Sequence, residues 1–246
     1  MEFRILPGGM LNGETRVPGD KSISHRSIML GALADGTTEV TGFLEGQDAL
    51  ATVAAFRAMG VVIEGPAKGR VVIQGVGLHG LKAPAAPLDL GNSGTSIRLL
   101  SGLLAGQSFD SEMTGDVSLC KRPMGRVIEP LTLMGASIEA QEGGRPPMRI
   151  TGGAQLKGIH YDLPMASAQV KSCVLLAGLY AQGRTSVTEP APTRDHTERM
   201  LRGFGYAVKR DNDVIGLEGG GALTATNIDV PADISSAAFF LVAASI

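Results

Sequence analysis

Three times along this chain a polar, glycine-marked helix entry leads into a small-residue apolar run, then a second helix ending in Gly, then a hairpin. The entries are Gly19-Asp20-Lys21-Ser22-Ile23-Ser24-His25-Arg26, Gly91-Asn92-Ser93-Gly94-Thr95-Ser96-Ile97-Arg98 and Ala166-Ser167-Ala168-Gln169-Val170-Lys171-Ser172. Asp233-Ile234-Ser235-Ser236 opens a fourth. The second helices leave through Met59-Gly60-Val61, Met134-Gly135-Ala136 and Phe204-Gly205-Tyr206, so the period is about 70 to 75 residues. That is too long for a solenoid and suits copies of one α/β unit about a shared centre. Three helix entries with unpaired N–H groups can then face one anion.

Each copy reads as β-α-β-α-β-β. The first helix is expected over about Ser24–Ala34, a strand over Thr37–Thr41, and a second helix capped by Asp48 and running to Met59, with Gly60 as its left-handed end. The second copy places helices at about Thr95–Ala105 and Pro123–Met134, with Pro123 in the first turn. The third places them at Gln169–Ala181 and Asp195–Gly203. Hairpins close each copy around Gly65–Gly69, Gly143–Pro147 and Asp211–Asp213.

The 246 residues hold no Trp, 34 Gly and 4% aromatic residues, so the core is built from Ala, Leu, Val and Ile in close backbone contact. With 22 basic against 24 acidic residues and no basic run, a nucleic-acid surface is not expected. Cys120 and Cys173 have no metal-ligand spacing and suit a reducing cytoplasm. No apolar run approaches the roughly 18 residues of a membrane span. The apolar segment Ala237–Ile246 is expected to be a core helix interrupted by a truncation.

The first entry carries two cations and two hydroxyls. Lys21 and Ser22 are expected before the first turn and Arg26 within it, all reaching a ligand on the helix dipole. Gly91-Asn92-Ser93-Gly94-Thr95 offers N–H groups unobstructed at two glycines. Arg122, directly before the second helix of that copy, suits a bidentate anion contact, whereas Lys121 and Arg126 read as a solvated face. Ser167, Ala168, Gln169 and Arg194 could hold a hydroxylated ring phosphate. Asp195-His196-Thr197-Glu198 lacks the second cluster a metal needs. Gly75-Val76-Gly77-Leu78-His79-Gly80 matches a dinucleotide pattern but leads to Pro84 rather than a helix, and no Walker-type loop is present. Cys120 has no base placed nearby in sequence and reads as a small loop thiol.

Pro18–Arg26, Leu90–Leu99, Leu119–Arg126 and Asp233–Ala238, in that order, resemble the 3-phosphoshikimate 1-carboxyvinyltransferase (EPSP synthase) family. Gly19-Asp20-Lys21-Ser22 and Ala168-Gln169-Val170-Lys171-Ser172 are similar to its class II branch. The resemblance implies an α/β protein of the inside-out α/β barrel type in two domains. Residues 21–228 would form the three-repeat domain, while residues 1–20 and 229–246 would belong to a second, truncated one. It also implies transfer of enolpyruvyl from phosphoenolpyruvate to the 5-hydroxyl of shikimate 3-phosphate, without metal or organic cofactor, in a cytoplasmic protein that is monomeric at full length.

Residue by residue, the resemblance makes Lys21 the catalytic group, touching both substrates. Ser22, Arg26, Ser167, Ala168 and Arg194 fall on the shikimate 3-phosphate side, Asn92, Gly94, Thr95 and Arg122 on the phosphoenolpyruvate side, and Gln169 between them. Gly94 would neighbour bound glyphosate. The missing half would add an Asp acid/base, a Glu/Lys pair and two Arg, so these residues alone are expected to bind shikimate 3-phosphate without turnover. The architectural alternative, UDP-N-acetylglucosamine enolpyruvyl transferase, has a cysteine-bearing loop that Leu119-Cys120-Lys121-Arg122 does not match. A non-catalytic anion-binding fragment is the third reading.

Overall fold

A computed structural model describes residues 12–245 of the chain. Residues 1–11 of the expected terminal segment, and Ile246, lie outside the described residues. The helices are α1 (Lys21–Leu33), α2 (Gln47–Ala58), α3 (Gly94–Ala105), α4 (Gly125–Leu133), α5 (Ala168–Gly178), α6 (His196–Gly203) and α7 (Ile234–Ser245).

The first helix of each copy is the buried one. Every residue of α1 from Ser24 to Leu33 is buried, as is every residue of α3 from Leu99 to Ala105 and of α5 from Val170 to Gly178. A helix apolar or small all round has no face for water and goes to the centre. Gly102 of α3 lies against the Cys173 carbonyl of α5, where a Cβ would overlap that oxygen, and Gly106 lies under Tyr180. The absence of side chains there lets two backbones approach. Helices α2, α4 and α6 each keep an exposed face.

Among the described residues three four-stranded sheets clothe this bundle on one repeated plan. Leu88–Asp89 runs parallel to Ser111–Thr114, which pairs antiparallel with Arg145–Thr151 and through it with Ser137–Gln141. His160–Asp162, Arg184–Thr188, Val214–Glu218 and Val208–Asp211 repeat the order. In the first copy the leading strand comes from the far end of the chain. Ile228–Asp229 runs parallel to Thr37–Thr41, with Ile228 opposite Val40, followed by Arg70–Gln74 and Val62–Ala67. A parallel pair, Ala34–Asp35 with Leu223–Thr224, also joins the first copy to the third. The ring is closed by residues that follow its third repeat, and a boundary drawn at 228/229 cuts through the closing strand. With helices inside and alternating strands such as Thr37–Thr41 outside, this is the expected inside-out α/β barrel.

Chain entry and exit lie side by side. Asp20 N–H donates to Pro231 O at 2.8 Å and Asp233 N–H to Pro18 O at 2.9 Å. Beyond this crossing α7 buries none of its residues, and Phe239, Phe240, Leu241 and Val242 are exposed. Gly60 ends α2 at φ 87°, the left-handed conformation expected of it, and Gly135 and Gly205 end α4 and α6 in the same way at 104° and 80°.

Helix starts differ from expectation in three places. Lys21 and Ser22 lie inside α1 because Asp20 is its cap. Asp48 does not cap α2: Gly46 holds that position without a side-chain bond, and Asp48 turns to Lys21. Pro123 precedes α4, which begins at Gly125 after a single 3-10 turn at Leu119–Lys121.

Candidate active site

The three core helices each begin with a side-chain cap. Asp20 Oδ1 accepts from Ile23 N–H at 2.8 Å, Ser93 Oγ from Ser96 N–H at 3.1 Å and Ser167 Oγ from Val170 N–H at 3.3 Å. One turn later each sends a side chain back to the carbonyl four residues earlier: Arg26 to Ser22, Arg98 to Gly94 and Ser172 to Ala168. Helical side chains lean toward the N-terminus, so a long residue in the second turn returns its head to the entry.

The entries touch one another. Arg26 Nη2 donates to Ser172 Oγ at 2.8 Å, joining α1 to α5. His25 Nδ1 lies 3.3 Å from Ser96 Oγ, and both meet Thr52 of α2, joining α1 to α3. Gln169 Nε2 donates to Thr95 Oγ1 at 3.0 Å, joining α3 to α5. The three N-terminal ends are thus gathered on one side of the bundle, and their partial positive charges add there.

Two clusters flank this junction. In the first, Arg26 is buried and satisfied: Nε donates to Thr197 Oγ1 of α6 at 2.7 Å in addition to its bonds with Ser22 and Ser172. Burial pulls its pKa down to about 10, while the Glu198 and Asp20 carboxylates support the charge and Arg194 opposes it. Arg194 is exposed in the turn before α6, near enough for its charge also to help lower the His196 pKa, which burial depresses first. Lys21 Nζ is 3.2 Å from Asp48 Oδ2 at the rim. His25 beneath is fully buried, and desolvation takes its pKa down to about 4, so the imidazole is neutral near pH 7.

In the second cluster, Arg98, Arg122 and Arg126 line a cavity of about 400 Å³ with Ser167, Gln169 and Val170. Arg122 bonds to Asn92 Oδ1, and Asn92 Nδ2 to Asp116 at 2.7 Å. Burial lowers the Arg98 pKa first, followed by the like charges of Arg122 and Arg126. Gly94 sits between them: a Cβ there would lie 2.8 Å from Arg98 Nη1 and 2.9 Å from Arg122 Nη1. Its own N–H is engaged with Asn92 O at 3.0 Å, so the loop is less open than its glycines suggest. A cavity of similar volume beside Arg184, Tyr206 and Lys209 at the third sheet has no helix entry.

The residues that the resemblance assigns to the two substrates lie at or beside the junction, in two groups with Gln169 between them. Arg98 and Arg126 also line the cavity, although neither was assigned to it from the sequence; Arg98 stands one turn past Gly94, and Arg126 is exposed in the first turn of α4. Among the described residues no group of three or more His, Cys, Asp or Glu could hold a metal. Cys120 Sγ donates to Gly115 O at 3.3 Å, and Cys173 is buried in the core, where desolvation pushes its thiol up to about 12.

The family model described as EPSP synthase (3-phosphoshikimate 1-carboxyvinyltransferase) matches residues 5–246. This chain belongs to the EPSP synthase family. It is 70% identical over 244 residues to a 3-phosphoshikimate 1-carboxyvinyltransferase of Methylococcus capsulatus, covering 99% of this chain and 56% of the relative. To the protein of the same name from Alkalilimnicola ehrlichii it is 70% identical over 246 residues, covering 100% and 55%. The solved EPSP synthase of Acinetobacter baumannii superposes with a TM-score of 0.91 at 70% identity, over 94% of this chain and 52% of that one. The chain spans about half the length of the EPSP synthase relatives it matches. No helix among the described residues is long and apolar enough to cross a membrane.

Proposed function

We propose that these residues form the half of a 3-phosphoshikimate 1-carboxyvinyltransferase that holds shikimate 3-phosphate and one side of phosphoenolpyruvate. The observation that carries this reading is the meeting of three capped helix entries beside a cavity lined by three arginines, a site suited to two anionic small molecules at once.

In this reading the Arg26 cluster takes the shikimate 3-phosphate. Ser22 and Arg26 face its carboxylate, and Ser167, Ala168 and Arg194 its phosphate. Asn92, Gly94, Thr95 and Arg122 take phosphoenolpyruvate, and Gln169 separates the two. The 5-hydroxyl oxygen bonds to C2 of phosphoenolpyruvate as its proton leaves, and a proton enters at C3. Loss of a proton from C3 with departure of phosphate from C2 then restores the double bond. Lys21, on the rim and held by Asp48, is the group of this chain placed to neutralise charge and pass a proton at the hydroxyl. The acid/base and clamping residues that the resemblance assigns to the other half are not among these 246 residues, so the chain is proposed to bind without turnover. The exposed apolar side of α7 is where that half would pack. A cytoplasmic location fits the free thiols of Cys120 and Cys173, and the resemblance adds a monomer at full length.

Calorimetric titration tests the reading. Shikimate 3-phosphate is expected to bind the 246-residue chain, UDP-N-acetylglucosamine is not, and phosphate release from phosphoenolpyruvate is expected at background. Binding of the nucleotide sugar in place of shikimate 3-phosphate would transfer the reading to the other enolpyruvyl transferase. Product formation by these residues alone would refute the incomplete-site argument.

A further inference from the structure

Lys171, one turn into α5, is a cation with no exposed surface. Its Nζ lies 2.7 Å from Glu189 Oε1 and 2.6 Å from Glu198 Oε1, both carboxylates also buried. The contacts are ionic rather than directed: neither Lys171 Nζ nor either oxygen of Glu198 makes a well-angled hydrogen bond among the described residues. The excess negative charge is met by Arg210, 3.6 Å from Glu189 Oε2, and by Arg26, whose charge Glu198 supports. Taking three charges out of water costs several kcal/mol per ion, and apolar side chains of equal volume often hold a core as well. Stability alone is therefore a poor account of this cluster.

The cluster fixes geometry. Glu189 opens the turn Glu189-Pro190-Ala191-Pro192-Thr193-Arg194-Asp195 that leads into α6. Its N–H donates to Asp213 O at 3.0 Å, and its Oε1 accepts from Thr193 Oγ1. One carboxylate thus ties both ends of the turn to an ammonium that cannot move. Arg194 follows Thr193 directly. Glu198 holds the first turn of α6, next to Thr197, which receives Arg26 Nε. The Ser167–Gln169 entry lies one turn before Lys171 on the same rigid helix.

We propose that Lys171, with Glu189 and Glu198, is a positioning residue for the phosphate end of the site, setting Arg194 opposite the Ser167–Gln169 helix entry so that one phosphate monoester meets both. The proposal rests on the substrate reading above. Its test separates the two through amide hydrogen exchange of the turn in the free chain and calorimetric affinities for shikimate 3-phosphate and for shikimate.

Lys171→Met is expected to speed exchange at least about tenfold at Glu189 and Arg199, the hydrogen-bonded amides that bracket the turn. It should weaken shikimate 3-phosphate about tenfold while shikimate stays within about twofold, because the lost contact is one charge-assisted bond to the phosphate. Thr193→Val leaves the buried ions in place and should give the same selective loss at about threefold; it decides the matter if Lys171→Met does not fold. Unchanged exchange, or an unchanged ratio of the two affinities, overturns the proposal, as does equal weakening of both ligands. If the parent chain binds neither compound the substrate reading fails, and the exchange data alone then support or overturn the positioning of the turn.

Discussion

Arg26 and Arg98 occupy matching places one turn into α1 and α3, and each folds back 2.9 Å onto the carbonyl four residues earlier. From there they diverge. Arg26 continues into Ser172 and Thr197 with the Glu198 charge behind it, buried and satisfied before any ligand arrives. Arg98 is half-buried beside two further guanidinium groups that oppose its charge. The same residue at the same place in the repeated entry is structural cement in one corner and unspent positive potential in the other. A site that must grip one anion firmly and admit a second gains from that division. The first corner loses little order on binding, and the second gains its counter-charge only then.

The sharpest way to break this contrast is to remove each arginine in turn. Arg26→Met removes the buried bonds to Thr197, Ser172 and Ser22 and one of the two cations whose charge bears on Glu198, and should cost about 3 kcal/mol in urea unfolding. Arg98→Met, half-buried among like charges, should change stability by less than about 1 kcal/mol. Equal losses would mean the corners are not built differently.

The buried junction between the corners has a pH signature. The His25 pKa is about 4 when folded against 6.5 as its ordinary value, so the folded state resists the proton that the unfolded chain accepts. Its contribution is complete above pH 6.5 and is lost as pH falls toward 4, by about 3 kcal/mol at most. Urea midpoints across that range should fall less steeply in His25→Gln than in the parent. Parallel curves would show that the imidazole is not held neutral.

A smaller effect sharpens the second corner. The Cβ of Gly94→Ala would meet only the movable ends of Arg98 and Arg122. Stability should shift by less than about 1 kcal/mol. In the full-length protein, phosphoenolpyruvate KM should rise and glyphosate inhibition weaken, by about tenfold if one guanidinium contact is displaced. Inhibition equal to that of the parent would exclude crowding at this position.

Much of this was legible in the chain. The repeat, the three buried helices and the glycine ends follow from local chemistry: small apolar runs, polar entries, and Gly where φ turns positive. The meeting of the three helix entries was legible because three similar entries imply a shared focus. What was hidden is non-local. Two-residue strands such as Leu88–Asp89 and Ile228–Asp229 have no periodicity of their own and exist only because a neighbour pairs with them. Asp48 has the composition of a cap, yet the Lys21 cation draws it away from that task. Lys171 stands in an apolar helix where sequence alone shows an oddity, and its two carboxylates come from 18 and 27 residues further along. Arg126 is exposed, as its sequence suggests, and only the packing of α4 beside α3 and α5 brings it to the cavity.

The central claim is that the α1, α3 and α5 entries serve one site for anionic substrates. Amide chemical shifts of the 246-residue chain, titrated first with shikimate 3-phosphate and then with phosphoenolpyruvate, test it most directly. The account predicts that Ser22 and the Ala168–Gln169 amides move together in the first titration and that Thr95 moves in the second. Shifts confined to a single entry, or absent from all three while residues elsewhere respond, would contradict it.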